Sequence, residues 1–332
     1  MDSEGDGVMS AVEILMVGRM PAVVERQLRE RFTLVSGSDA SDEALSRVRG
    51  VASGAHAPVG PELLQRLPAL EIVANFGVGY DSVDVACCAE RGIVVTNTPD
   101  VLTEEVADTA LGLLLMTARE LSASERWLRA GRWARDGAYP LTRTTLRGRT
   151  LGILGLGRIG KAIARRAEAF GLKVMYHGRR RQEDVAYPYF ETLEGLAAAC
   201  DTLMVVAPGG AETRHLIDAK ILKALGPEGI VINIGRGTVI DEAALIEALK
   251  AGTILAAGLD VFEHEPMVPE ALIGMENVVL LPHVGSASQH TRDGMGQLVV
   301  DNLTSWFADG RPLTPVPETP VPQTPVTVTG PS

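Results

Sequence analysis

Residues 150–170 read TLGILGLGRIGKAIARRAEAF, and this stretch decides the fold. Thr150–Leu154 is an apolar run of strand length. The residues after Gly160 have helical spacing. Between them stands Gly155-Leu156-Gly157-Arg158-Ile159-Gly160, a GxGxxG turn. The bare pattern is weak, because glycine-rich turns are common. A strand leading in and a helix leading out make it a dinucleotide loop: the first glycine permits the tight turn, the second lets the backbone approach a pyrophosphate, and the third lets helix and strand pack closely. The helix N-terminus adds amide donors and a positive dipole end.

An NAD-binding loop of this kind places an Asp or Glu about 20 residues on, at the end of the next strand, to bond the ribose 2′-hydroxyl. Here that strand, Lys173–Tyr176, runs into His177-Gly178-Arg179-Arg180-Arg181. Gly178 stands where the acid belongs, and arginines follow. Guanidinium groups bind a phosphate dianion with charge-assisted, often bidentate bonds. Arg179 and Arg180, with Arg181 beside them, therefore favour NADPH as cofactor, with NADH the weaker ligand. The competing interpretation is an exposed basic turn that serves solubility.

Outward from this unit, strands alternate with helical patterns on both sides. Strands are expected at Glu13–Val17, Thr33–Val35, Val51–Ala52, Ile72–Ala74 and Val94–Thr96, then at Leu203–Ala207, Ile230–Ile234, Ile254–Gly258 and Val278–Leu281. Such alternation builds parallel sheets. A single long helix is expected from Thr103 through EEVADTALGLLLMTARELSAS (104–124), apolar on most sides and buried between domains or subunits. Residues 131–149 read as irregular, and one more helix is expected over Thr291–Phe307. Pro312–Ser332, rich in Pro, Thr and Val, reads as a tail without a helical period.

Composition narrows the function. The 332 residues suggest two domains, and a net charge of −11 opposes nucleic acid and anionic membranes as partners. Three cysteines, two of them adjacent, do not form a disulfide framework and suggest a reducing compartment. The N-terminal residues lack the basic and apolar regions of a signal peptide, and Ala110–Ala118 is too short to span a bilayer. The expected location is the cytoplasm, and no metal is expected.

Three further strand ends carry chemistry: Asn233-Ile234-Gly235-Arg236-Gly237, Asp260-Val261-Phe262-Glu263-His264-Glu265-Pro266 and Leu281-Pro282-His283-Val284-Gly285-Ser286. Each alone has an ordinary explanation, as a surface ion pair, a loop acid or a structural histidine. Together, beside a dinucleotide loop, an Arg, a carboxylate and a His form a candidate reaction centre.

The motifs GLGRIG (155–160), INIGRG (232–237), DVFEHEP (260–266) and LLPHVG (280–285), in this order, resemble the D-isomer-specific 2-hydroxyacid dehydrogenases, from about residue 13 to 315. NFGVGYDSVD (75–84), NTPDVLTEEVAD (97–108) and residues 265–285 resemble the glyoxylate/hydroxypyruvate and hydroxyphenylpyruvate reductase branch, which commonly prefers NADPH. The resemblance implies an α/β fold of two doubly wound parallel-sheet domains, a Rossmann cofactor domain inserted in a flavodoxin-like substrate domain. Residues 1–102 with 286–315 would form the substrate domain, 103–285 the cofactor domain, and 316–332 a disordered tail, with closure over a cleft.

It also implies roles. Arg236 would hold the carboxylate of a small 2-keto acid and polarise its keto oxygen. His283 would donate a proton to that oxygen as hydride arrives, and Glu265 would bond the other ring nitrogen. The amides of Val78 and Gly79 would bind the carboxylate, with Ser53 and Gly54 beside the substrate. Cofactor contacts would come from Gly155, Leu156, Gly157, Arg158, Ile159, Gly160, Arg179, Arg180, Ala207, Pro208, Thr213, Ile234, Gly235, Arg236, Asp260, His283, Gly285 and Ser286, Asp260 touching the nicotinamide carboxamide. A homodimer is implied, with Trp133–Tyr139 reaching a neighbour's pocket. Gly209-Gly210 loosen a loop that is often richer in proline, and Ser288 stands where Thr is common.

Three alternatives stay open: a hydroxyphenylpyruvate or 2-ketogluconate reductase, an NAD-dependent phosphoglycerate- or lactate-type dehydrogenase, which predicts an acid at 178, and a dinucleotide-sensing corepressor-like binding protein, since fold does not fix function. Turnover separates the last from the others.

Overall fold

The computed structural model describes residues 11–36, 40–54, 57–319 and 321. They divide into two compact units: one holds the described residues up to Leu102 and those from Ser288 on, the other is Thr103–Ala287.

The first unit is built on five parallel strands: β1 (Glu13–Val17), β2 (Thr33–Ser36), β3 (Gly50–Ser53), β4 (Ile72–Asn75) and β5 (Val94–Thr96), in the order β2-β1-β3-β4-β5. This doubly wound, flavodoxin-like order reverses between β1 and β3. Strands β3, β4 and β5 are buried throughout, so they read as continuous apolar runs and not as alternating ones. Leu15, Val51, Val73 and Val95 pack with Leu45, Leu64, Leu67 and Ile93 on one face. The helix Gln289–Asp309 packs on the helix Ala22–Arg31 and on β4. A Cβ at Gly296 would stand 2.1 Å from Val24 Cγ2, so a small residue is needed there.

The expected structureless tail is corrected at its start. Asn302 Oδ1 accepts the amides of Leu313 and Thr314 at 2.9 and 3.0 Å. The Val316 amide donates to the Val95 carbonyl at 2.9 Å, and Thr319 Oγ1 accepts the Val95 amide at 3.1 Å. Val316 is buried in the core of this unit. Residues 312–319 thus cover the edge of β5, with polar groups bonded to Asn302 and to Val95 of that edge. The rest of the tail, apart from Val321, lies outside the described residues.

The second unit carries seven parallel strands: β6 (Thr150–Leu154), β7 (Lys173–His177), β8 (Tyr189–Phe190), β9 (Thr202–Val205), β10 (Ile230–Asn233), β11 (Ala256–Leu259) and β12 (Val278–Leu280). Their order is β12-β11-β10-β9-β6-β7-β8. The winding reverses between β6 and β9, where doubly wound sheets bind ligands at the carboxyl ends of their strands. Strand β8 was not expected; two residues give no periodic signal. Arg149, buried in front of β6, donates to Thr202 Oγ1 at 3.0 Å and to the Glu228 carbonyl at 2.8 Å, and pairs with Asp201 at 3.1 Å.

The single long helix from Thr103 is corrected to two. Thr103–Ala118 ends where Glu120 takes a left-handed conformation (φ 51°), and Leu121–Arg129 starts a new direction. The first lies on its own sheet: a Cβ on Gly258 of β11 would stand 2.5 Å from Thr117 Oγ1 and 2.9 Å from Leu113 Cγ. Within residues 131–149, Arg132–Asp136 is a short helix. Among the described residues no helix is long and apolar enough to cross a membrane.

All three cysteines are unpaired. Burial pushes the thiols of Cys88 and Cys200 up to about 12, so their reactive thiolates are scarce near neutral pH. The native protein should react with a thiol reagent at Cys87 alone. Mass spectrometry of the labelled protein checks this, and early labelling of Cys88 or Cys200 would contradict it.

Candidate active site

Three loops leave the carboxyl ends of β10, β11 and β12. In the first, Asn233 organises the turn: its Oδ1 accepts the Gly235 amide at 3.0 Å and its Nδ2 donates to the Arg236 carbonyl at 2.9 Å. Arg236 is half-buried, in extended backbone (φ −138°, ψ 140°), and one guanidinium nitrogen donates to the Gly235 carbonyl at 2.8 Å. The next residue must be glycine. A Cβ at Gly237 would stand 1.8 Å from the backbone carbon of Phe262. The Arg236 loop therefore lies in backbone contact with the DVFEHEP loop.

That second loop presents Glu265. Its Oε1 accepts the Phe262 amide at 3.0 Å, and its Oε2 accepts from His283 Nδ1 at 2.7 Å. With Nδ1 on the carboxylate, Nε2 is the other ring nitrogen, able to exchange a proton. His283 has φ 52°, a left-handed conformation that costs a non-glycine residue on the order of 1–2 kcal/mol. Its surroundings hold it there. The His283 amide donates to the Asp260 carbonyl at 2.8 Å, and the Asp260 carboxylate accepts the amides of Val284 at 2.7 Å and Gly285 at 2.8 Å.

Asp260 is 1% exposed. Burial raises its carboxyl above the ordinary range, against the lowering effect of the two loop amides. One amide on each carboxylate oxygen makes Asp260 a support of the His283 loop. Gly285 and Ser286 follow, both buried; a Cβ on Gly285 would stand 2.9 Å from Asp260 Oδ2.

The GxGxxG turn fits a dinucleotide diphosphate. Gly155 has φ 97°, and a Cβ on Gly160 would stand 2.3 Å from the Gly155 carbonyl oxygen. A Cβ on exposed Gly157 would meet nothing within 4 Å. Gly157 is the N-cap of the helix Arg158–Ala169 and supplies no side-chain acceptor, which suits an anion at that helix end. Arg158 is exposed, Ile159 half-buried and Leu156 buried. Arg179, Arg180 and Arg181 are exposed after β7, and a Cβ on Gly178 would also meet nothing within 4 Å. Ala207 and Ile234 are buried at the ends of β9 and β10, with Pro208 exposed. A Cβ on Gly235 would stand 2.7 Å from the Ala207 carbonyl oxygen. Thr213 Oγ1 closes its own turn, donating to the Pro208 carbonyl at 2.7 Å.

In the first unit, the loop after β4 is held by its carbonyls. Asn75 Nδ2 donates to the carbonyls of Gly77 and Gly79, Asn97 Nδ2 to that of Val78, and the Thr98 amide to that of Gly77. Among the described residues no acceptor meets the amides of Val78 or Gly79, which suits an anion such as a carboxylate. Ser53 and Gly54, expected beside the substrate, are corrected. Ser53 is fully buried and its hydroxyl donates to Asn75 Oδ1 at 3.1 Å; Gly54 is buried, and a Cβ there would stand 2.4 Å from the Arg19 carbonyl oxygen. Ser53 supports the loop after β4, and Gly54 packs against the turn after β1.

Sequence reasoning missed a second His–carboxylate pair. Glu263 Oε1 accepts from His215 Nε2 and from Arg214, each at 2.7 Å, and the Glu263 amide donates to Glu242 Oε1 at 2.8 Å. Burial raises the Glu242 carboxyl. The pair ties the loop after β9 to the DVFEHEP loop. The first Glu of that motif, apparently redundant beside Glu265, was the signal available.

A doubly wound dinucleotide unit whose strand ends gather an arginine and a carboxylate-bonded histidine defines a nicotinamide-dependent oxidoreductase class. A family model described as D-isomer specific 2-hydroxyacid dehydrogenase, NAD binding domain, matches residues 111–285. The chain belongs to that family. It is 46% identical over 314 residues to glyoxylate/hydroxypyruvate reductase A of Arabidopsis thaliana, covering 93% of this chain and all of the relative. It is 45% identical over 314 residues to hydroxyphenylpyruvate reductase of Plectranthus scutellarioides, with the same coverage. The crystal structure of an NADPH-dependent glyoxylate/hydroxypyruvate reductase from Sinorhizobium meliloti, in complex with NADP and malonate, matches with a TM-score of 0.91 and 55% identity, covering 95% of this chain and 99% of that one.

Proposed function

We propose that the protein reduces a small 2-keto acid of the glyoxylate or hydroxypyruvate type to the D-2-hydroxy acid, using NADPH. The bond from His283 Nδ1 to Glu265 carries this reading, because it leaves a histidine proton donor fixed in direction at a strand end beside the Arg236 loop. When bound, the cofactor supplies the hydride. Gly155, Gly157, Gly160 and the first amides of the helix Arg158–Ala169 hold its diphosphate, with Arg158 and Ile159 at that helix start. Arg179 and Arg180 hold the 2′-phosphate. Ala207, Pro208, Ile234, Gly235 and Ser286 line its path.

Arg236 binds the substrate carboxylate and draws charge toward the keto oxygen; the amides of Val78 and Gly79 offer two donors that suit a carboxylate. His283 gives its Nε2 proton to that oxygen. Negative charge grows on oxygen as the carbonyl is reduced, so a guanidinium and an imidazolium there favour the transition state over the ground state. Initial rates with glyoxylate, hydroxypyruvate and 4-hydroxyphenylpyruvate, each with NADPH and with NADH, test the reading. Turnover of the small acids with NADPH is the expected result. Tight NADPH binding without turnover of any keto acid would favour a sensor in its place.

The open space at Gly178 gives a sharper test of cofactor choice. Asp can stand there without a clash and would repel a 2′-phosphate. Gly178→Asp should lower kcat/KM for NADPH by about tenfold to a hundredfold, while that for NADH holds or rises. An unchanged ratio would remove this part of the reading.

We further propose a cytoplasmic homodimer. Its support is unpaired cysteines and the exposed Leu121, Leu128, Trp133 and Leu141 on residues 121–141. Tyr139 reaches a neighbour's pocket in this assembly from its seat on Glu120 (2.8 Å) and Trp127, where burial and Glu120 push its hydroxyl up to about 12. Sedimentation should give a dimer for the wild type and a monomer for Trp133→Glu; a wild-type monomer would refute the assembly.

A further inference from the structure

The arginine turn after β7 is pinned at both ends by tyrosines. Tyr176 is 1% exposed, so its side chain is out of reach of a ligand. Its hydroxyl oxygen accepts the amide of Gln182, the residue after the last arginine, at 2.7 Å. At the other end, the Tyr189 hydroxyl donates to the carbonyl of Gly178 at 3.2 Å. The two rings pack with centroids 5.3 Å apart, and Tyr189 also stacks on His177 at 6.5 Å and 15°. His177 Nδ1 in turn donates to the Phe190 carbonyl at 2.8 Å. Gln182 Nε2 donates to the carbonyl of Leu156 at 2.7 Å, tying the end of the turn to the GLGRIG loop.

We infer that Tyr176 and Tyr189 are positioning residues for cofactor selectivity: by fixing Gln182 and Gly178 they set where the Arg179–Arg181 turn stands relative to the glycine loop. The inference rests on the NADPH reading above. Arginine side chains are long, and their preference for a phosphate depends on a fixed backbone origin, because each degree of freedom left in the turn is lost on binding. The tyrosines act through that backbone and touch no cofactor atom. Their removal should therefore cost affinity for the 2′-phosphate and spare the rest of the dinucleotide.

The test is calorimetric titration with 2′,5′-ADP and with 5′-AMP, which differ only in the 2′-phosphate, for wild type, Tyr176→Phe and Tyr189→Phe. Each substitution removes one hydroxyl and keeps the ring. The expected result is a Kd for 2′,5′-ADP weakened about fivefold in each variant, the worth of one hydrogen bond, with the Kd for 5′-AMP held within twofold. Steady-state kinetics should follow, with a raised KM for NADPH and an unchanged KM for NADH. If Tyr176→Phe, inside the core, fails to fold, half-buried Tyr189 still decides. Equal weakening of both nucleotides would reveal a merely structural role and overturn the inference, as would no weakening of either. A wild type that binds both nucleotides alike would overturn the NADPH reading itself, and the inference with it.

Discussion

Replacing His283 with Gln is expected to lower kcat for keto-acid reduction by about 10² to 10⁴, or about 3–5 kcal/mol of barrier, while 2′,5′-ADP still binds. Glutamine keeps a polar side chain of similar reach but has no transferable proton. Its backbone would still occupy the left-handed conformation imposed by the Asp260 carbonyl and carboxylate, so the loss would belong to the proton and not to a collapsed loop. A pH profile checks the assignment. In the reductive direction the histidine must carry its proton, so the wild-type rate falls as pH rises. In the oxidative direction it must be neutral, so the rate falls as pH drops. Both limbs should disappear in the variant. A variant that keeps wild-type kcat, or both limbs, would remove His283 from the mechanism. Glu265→Gln keeps an acceptor for Nδ1 and should cost less than the histidine substitution.

Arg236→Lys is expected to lower kcat/KM by about 10² to 10³, since the loss of one preorganised donor at a developing oxyanion costs about 2.7–4 kcal/mol. Lysine keeps the charge but loses the planar fork that can serve a carboxylate and a keto oxygen together. The loop itself should survive. Its turn is fixed by Asn233 and by the contact of Gly237 with Phe262, neither of which uses the guanidinium. The effect should appear in both KM and kcat, and guanidinium added to the assay should restore part of the rate to Arg236→Ala. Unaltered kinetics in Arg236→Lys would mean that charge alone suffices and that the bidentate role is wrong.

The fold was legible because its decisive signals are local. A buried strand, three glycines and a helix in residues 150–170 define the unit around β6, and the alternation of short apolar runs extends it in both directions. Arg236, Glu265 and His283 were legible as a set because each follows an apolar run, which places it at a strand end. Other features depend on partners far apart in the chain. Nothing near Ser53 announces that its hydroxyl is spent on Asn75, and nothing near Asp260 announces that it holds the amides of Val284 and Gly285. The break at Glu120 interrupts a run of good helix formers, so propensity alone carries the helix past it. Residues 312–319 look like a tail because their order comes from Asn302 and the edge of β5 and not from any period of their own.

The most direct measurement is NADPH oxidation by hydroxypyruvate with chiral analysis of the product. The account predicts rapid turnover and D-glycerate. L-Glycerate, or no product from any 2-keto acid with either cofactor, would contradict it.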